Sequence, residues 1–156
     1  MNRNGLIYQP LQLQSAYYST VLPSLFVGDV ATINIAAVSS SMRNESLKRI
    51  EGFQSLRDNW DGYGAYAPSG AVCNHATLLI NQLALDFPDV PSPDISPSSN
   101  GTVIFSWETG LGEAVLEIGE ANFGGYIGKP GSFAPLSGNV NSLSKQELSV
   151  IAGYLG

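Results

Sequence analysis

The chain has 156 residues, 44% of them hydrophobic and 13% charged, which is enough for one domain with a real core and too apolar for a disordered tail. Seven basic residues against thirteen acidic ones leave a net charge of −6, so the phosphate backbone of a nucleic acid is disfavoured as a partner. No apolar run reaches the length of a membrane span, and the start, MNRNGLIYQPLQLQ, lacks the basic-then-apolar order of a secretory signal. The single cysteine, Cys73, excludes an internal disulfide and a multi-cysteine zinc site, which fits a reducing, cytoplasmic setting.

Residues 1–24 read as irregular, broken by Pro10 and Pro23; Gln12 and Gln14 alternating with Leu11 and Leu13 suit a short edge strand, and Tyr17–Tyr18 suits a helical turn. Residues 25–38 (LFVGDVATINIAAV) are rich in β-branched side chains and predict a strand that Ser39, Ser40 and Ser41 interrupt. Asn44 is a candidate N-cap, followed by Leu47, Ile50, Phe53 and Leu56 at a spacing of three, which predicts a helix over 45–58. Val72, Ala76, Leu79, Leu83 and Phe87 form an apolar stripe behind Pro68 and Ser69, predicting a second helix over 69–86 that stops before Pro88.

The proline-rich stretch 88–100 reads as an extended connector pinned by Val90 and Ile95. Val103, Phe105 and Trp107 alternate on 102–108, and Ala114, Leu116 and Ile118 on 113–119, predicting two strands joined by the glycine-bearing turn Glu108–Gly112. A short third strand is expected at 124–128, a loop over 128–141, and a last helix over 145–155 opened by the capping box Ser144–Glu147. The expected fold is therefore α+β. A small, mainly antiparallel sheet packs against two or three helices in a single domain over 1–156, with its core in 25–128.

Charge is unevenly placed along this layout. Residues 1–57 carry five cations and three acids, whereas residues 58–128 contain no Lys or Arg and nine acids, from Asp58 to Glu120. Such a span is either a solvated solubility surface or a docking face for a basic partner. Within it, Glu113 and Glu117 share one face of their strand.

The most distinctive string is Asp58-Asn59-Trp60-Asp61-Gly62-Tyr63-Gly64-Ala65, with Pro68 after it. Gly62 and Gly64 permit positive φ, so the chain can leave the first helix in a left-handed cap and turn sharply. Asp61 can bond the backbone that follows it and hold the turn. Trp60 and Tyr63 are large enough to anchor the corner against the sheet; if exposed with Tyr66 instead, they make a recognition surface. Asp58 and Asp61 have part of a calcium-loop spacing, but position 69 is Ser where the loop needs Glu.

This string resembles a box in a group of small bacterial and phage-encoded proteins, in which such a corner is followed by a Pro-initiated helix and a strand pair ending near Trp-Glu, here Trp107-Glu108. The resemblance spans about residues 44–120. It implies a layout and a microbial or mobile-element setting, and no activity.

Enzyme chemistry finds little to work with. Cys73 and His75 are two apart on a helix and point away from each other, so they form no nucleophile–base pair. Ser132 lacks a nucleophile-elbow context, and no phosphate-binding glycine loop ends in Lys-Ser/Thr. No catalytic residue, metal ligand or cofactor is assigned.

The expected function is a non-enzymatic protein-binding module. It uses Trp60, Asp61, Tyr63, Tyr66, Glu113 and Glu117 toward a partner with a basic surface, as a phage or mobile-element inhibitor or accessory of microbial defence machinery. Two alternatives stand beside it: a small hydrolase using carboxylates in 58–120, and a structural subunit that extends a sheet between copies as a homo-oligomer. Neither nucleic acid nor membrane is expected as a direct partner.

Overall fold

The computed structural model describes residues 35–129, 131–143 and 145–155, all within one unit of the chain. The readings for residues 1–34, including most of the strand expected at 25–38, lie outside them.

Two helices come first. Helix α1 runs Ile35–Phe53, ten residues earlier at its start than the spacing predicts. The expected strand end at 35–38 is helical, the serine run does not break the chain, and Asn44 lies inside the helix instead of capping it. Tertiary contacts reach back into this part. Arg43 bonds the Asn81 amide oxygen at 2.9 Å, and Ser46, the one buried polar residue among those described, meets the hydroxyl of Ser92 at 3.3 Å. Further along, Ile50 is buried with Leu47 and Phe53 packed on the core. Helix α1 also ends early. Gln54, Ser55 and Leu56 bond back to Glu51, Gly52 and Phe53 in tight i→i+3 turns, so 54–58 is not helical.

Helix α2, Gly70–Asp86, matches its expected span. The Ser69 side chain caps it by accepting the Val72 N–H. Its apolar stripe, Val72, Ala76, Leu79 and Leu83, is buried.

Five strands follow as an antiparallel meander in sequence order: β1 Asp94–Pro97, β2 Val103–Glu108, β3 Glu113–Ile118, β4 Asn122–Lys129 and β5 Ser132–Asn139. β2 and β3 hold the expected alternation, burying Val103, Phe105 and Trp107 opposite Ile118, Leu116 and Ala114. β1 corrects the connector reading. Ile95 is buried and pairs with Phe105, which gives part of the proline-rich stretch a partner strand. β4 is longer than expected, and β5 replaces the loop expected at 128–141, with a 3₁₀ turn at Val140–Ser142. Helix α3, Lys145–Leu155, closes the chain with Leu148, Ile151 and Leu155 buried.

All three helices serve one face of the sheet: α2 lies over β2 and β3, α3 over β3 and β4, and α1 beside β1. The opposite face carries the other strand parity, Ile104, Ser106, Glu108, Glu113, Val115, Glu117, Tyr126, Phe133 and Pro135 among it. Among the described residues the fold is the expected α+β, a five-stranded antiparallel sheet with three helices. Among the described residues no helix is long and apolar enough to cross a membrane.

Candidate functional site

Between α1 and α2 the chain runs through a corner loop, Asp58–Ala67, held by short polar side chains and backbone groups that bond to backbone. Three residues in six take positive φ: Asn59 at 66°, Gly62 at 78° and Gly64 at 95°. Asn is among the few residues with a Cβ that tolerate this region, and here the loop also uses its polar groups. The Asn59 N–H donates to the Ala65 carbonyl at 2.6 Å, its carbonyl accepts from the Gly62 N–H at 3.0 Å, and its Oδ1 accepts from the Gly64 N–H at 2.8 Å.

Asp61 holds the outer turn. Its Oδ1 accepts the N–H groups of Tyr63 at 2.8 Å and Ala65 at 3.1 Å, and these donors, Tyr63 first, hold its carboxyl below the ordinary value of 3.8. Asp58 Oδ1 accepts the Ala67 N–H at 3.0 Å across the base. The Trp60 indole N–H donates to the Tyr66 carbonyl at 3.1 Å, and the Tyr66 N–H donates to Ser99 in the β1–β2 turn at 2.9 Å. Eight hydrogen bonds thus fix ten residues.

What plugs the loop onto the core is small. Ala65 is 2% exposed and Pro68 is buried. The three aromatics point elsewhere: Tyr63 is 95% exposed, Tyr66 66% and Trp60 36%. This corrects the expectation that Trp60 and Tyr63 anchor the corner against the sheet. Gly62 and Gly64 also stand nine and eleven residues beyond Phe53, the last residue of α1, so they are not its left-handed cap. The glycine conformations and the bonding role of Asp61 are as the sequence implied.

The structure brings Trp60, Asp61, Tyr63 and Tyr66 into one loop and sets Glu117 within two contacts of it. Tyr66 pairs with Asn100 in the β1–β2 turn, and Thr102, at the end of that turn, donates its hydroxyl to Glu117 Oε1. Glu113 is not part of this group. It lies four residues back along β3, about 13 Å away in an extended strand, directly opposite Glu108 on β2. Sequence reasoning missed Asn59 and Asp58 as holders of the loop. The signal was there: a run of short side chains that bond local backbone, just ahead of two glycines.

The remaining chemical candidates are placed as follows. Cys73 is fully buried, and burial pushes its thiol above the ordinary range. His75 is half-buried on α2, its Nδ1 3.4 Å from the Gly119 carbonyl. Among the described residues no three of His, Cys, Asp and Glu stand close enough together to hold a metal ion.

No family model, curated protein or solved structure matches the chain. The reading of the site therefore rests on its own geometry.

Proposed function

We propose that the protein is a binding module that engages a partner protein through the corner loop, with Trp60, Tyr63 and Tyr66 as the contact side chains. One observation carries this reading: Tyr63 is 95% exposed at the tip of a loop that eight hydrogen bonds hold in place. Large aromatics on a rigid backbone lose little entropy on binding, which is why Trp and Tyr dominate interface hot spots. Apolar rings that plug no core and yet sit on a fixed frame are what such a surface requires.

The charge beside the rings names the partner's chemistry. Asp58 and Asp61 flank them in sequence, Glu117 on β3 accepts from Thr102 at the end of the β1–β2 turn, and no Lys or Arg occurs between residues 58 and 128. A basic surface complements this patch and is steered toward it. The hydrolase alternative is weaker, because Asp58 and Asp61 each spend an oxygen on backbone and Glu113 is far along the strand from Glu117. A role for a phage or mobile element against microbial defence machinery is the further expectation that the resemblance of the corner string supports.

The test is capture from a microbial lysate by immobilised wild-type protein and Tyr63→Ala, at low and high salt. Loss of the captured species with Tyr63→Ala, and its weakening by salt for the wild type, is the expected pair of results. Equal capture by both proteins contradicts the reading.

A further inference from the structure

A second surface lies on α2, opposite its buried face. Leu85 is 82% exposed and Leu78 64%, more than any other large aliphatic side chain among the described residues. They stand two helical turns apart on one face, and exposed Ala71 continues the same stripe two turns earlier. From Gly70 to Leu85 the helix carries no Asp, Glu, Lys or Arg, although an exposed helix face ordinarily holds the charged residues. Asn74 and Asn81 border the stripe on one flank, His75 and Gln82 on the other.

The stripe is self-complementary. Leu78 is the middle residue of Gly70–Asp86, so a two-fold axis beside it sets a second copy of α2 antiparallel to the first. Leu78 then meets its own copy, and large Leu85 faces small Ala71 at both ends, the alternation by which packed helices interdigitate. Asn74 comes opposite Asn81 on one flank and His75 opposite Gln82 on the other. The Asn81 amide oxygen accepts from Arg43, so its NH2 group is the part left to donate to Asn74.

Charge favours a second copy as the occupant. At a net charge of −6, copies repel across the sheet face that holds Glu108, Glu113 and Glu117. The sheet edges are blunted as well: β1 is four residues ending in Pro97, and β5 carries Pro135. On the α2 stripe two acidic chains meet with no like charges opposed, and a strongly charged partner finds nothing there to pair with.

We infer that α2 is a two-fold pairing surface through which the protein forms a weak antiparallel homodimer, with Leu78 on the axis. One helix face about 25 Å long is at the small end of specific interfaces, so the pairing depends on concentration. Because the corner loop leads into the start of α2, the dimer carries its two corner loops at opposite ends.

Sedimentation equilibrium of the full chain over about two decades of concentration reads the association. Reversible dimerisation of the wild type is expected, weakened roughly tenfold or more by Leu78→Glu, which sets two carboxylates against each other on the axis. Leu111→Glu, at an exposed leucine in the β2–β3 turn, leaves it unchanged. Leu85→Glu also weakens the dimer, and adding Ala71→Lys restores it. Within one chain these two positions are about 21 Å apart along the helix, so they meet only between antiparallel copies. Melting curves check that each variant folds. A wild type that stays monomeric throughout overturns the inference, as does a dimer that Leu78→Glu leaves intact or that Leu111→Glu weakens equally. A double variant that associates no better than Leu85→Glu alone overturns the antiparallel register.

Discussion

Asp61 holds Tyr63 out in solvent. Its Oδ1 accepts the Tyr63 backbone N–H at 2.8 Å, while the ring beyond that nitrogen is 95% exposed. A carboxylate that organises the backbone under an otherwise unsupported aromatic couples the order of the loop to ionisation. The donors depress the Asp61 carboxyl below 3.8, so its contribution is present above the unfolded value and is lost as pH falls through the lower folded one. The stability gap between wild type and Asp61→Asn should be constant near neutrality and shrink as pH drops below about 4. Melting curves across that window check this; a gap that persists unchanged in strong acid contradicts it.

Gly62 and Gly52 should respond to the same substitution with opposite signs. An added Cβ meets nothing within 4 Å at either position, so only backbone conformation decides. Gly62 holds φ at 78°, and Gly62→Ala should cost about 1–2 kcal/mol. Gly52 lies in α1, and Gly52→Ala should stabilise by roughly 0.5–1 kcal/mol. Urea titrations of the two variants give both numbers.

The backbone of the corner was legible because glycine and aspartate have few ways to be used in a turn. The fate of its rings was not. Trp60 and Tyr63 suit a packed corner and an exposed one equally well, and small Ala65 and Pro68 take the buried places. α2, β2 and β3 were legible for a similar reason: each buries one clean stripe, so periodicity and burial agree. β5 (SFAPLSGN) sends only Ala134, Leu136 and Gly138 toward β4's core-side residues, and its Pro135 is a loop signal that an edge strand tolerates. At the start of α1, β-branched Ile35 and Val38 carry strand propensity that the packing of the helix as a whole overrides.

Glu108 and Glu113 face each other across the β2–β3 ladder, and like charges directly opposite destabilise a sheet. Glu108→Lys should therefore stabilise the protein by about 0.2–1 kcal/mol, with the gain smaller in high salt. Denaturation at two salt concentrations measures both effects.

Trp107 is buried in the core and donates to the Pro91 carbonyl. Trp107→Phe keeps an aromatic ring but removes that donor and some volume, and should cost about 1–3 kcal/mol. It should also raise amide exchange at Asp89, Val90 and Ser92, in the segment that Trp107 ties to β2. Exchange confined to other segments contradicts the tie.

The central claim, that the corner loop is the binding surface, is tested most directly by placing a photo-crosslinking side chain at position 63 and, in a second protein, at position 126. Tyr126 is partly exposed on the sheet face opposite the described helices and packs edge-on against Phe133 at 5.8 Å, which makes it a fair control for general surface stickiness. After irradiation in cell lysate, position 63 should yield a discrete crosslinked partner and position 126 should not. A partner crosslinked from position 126 and none from position 63 contradicts the account.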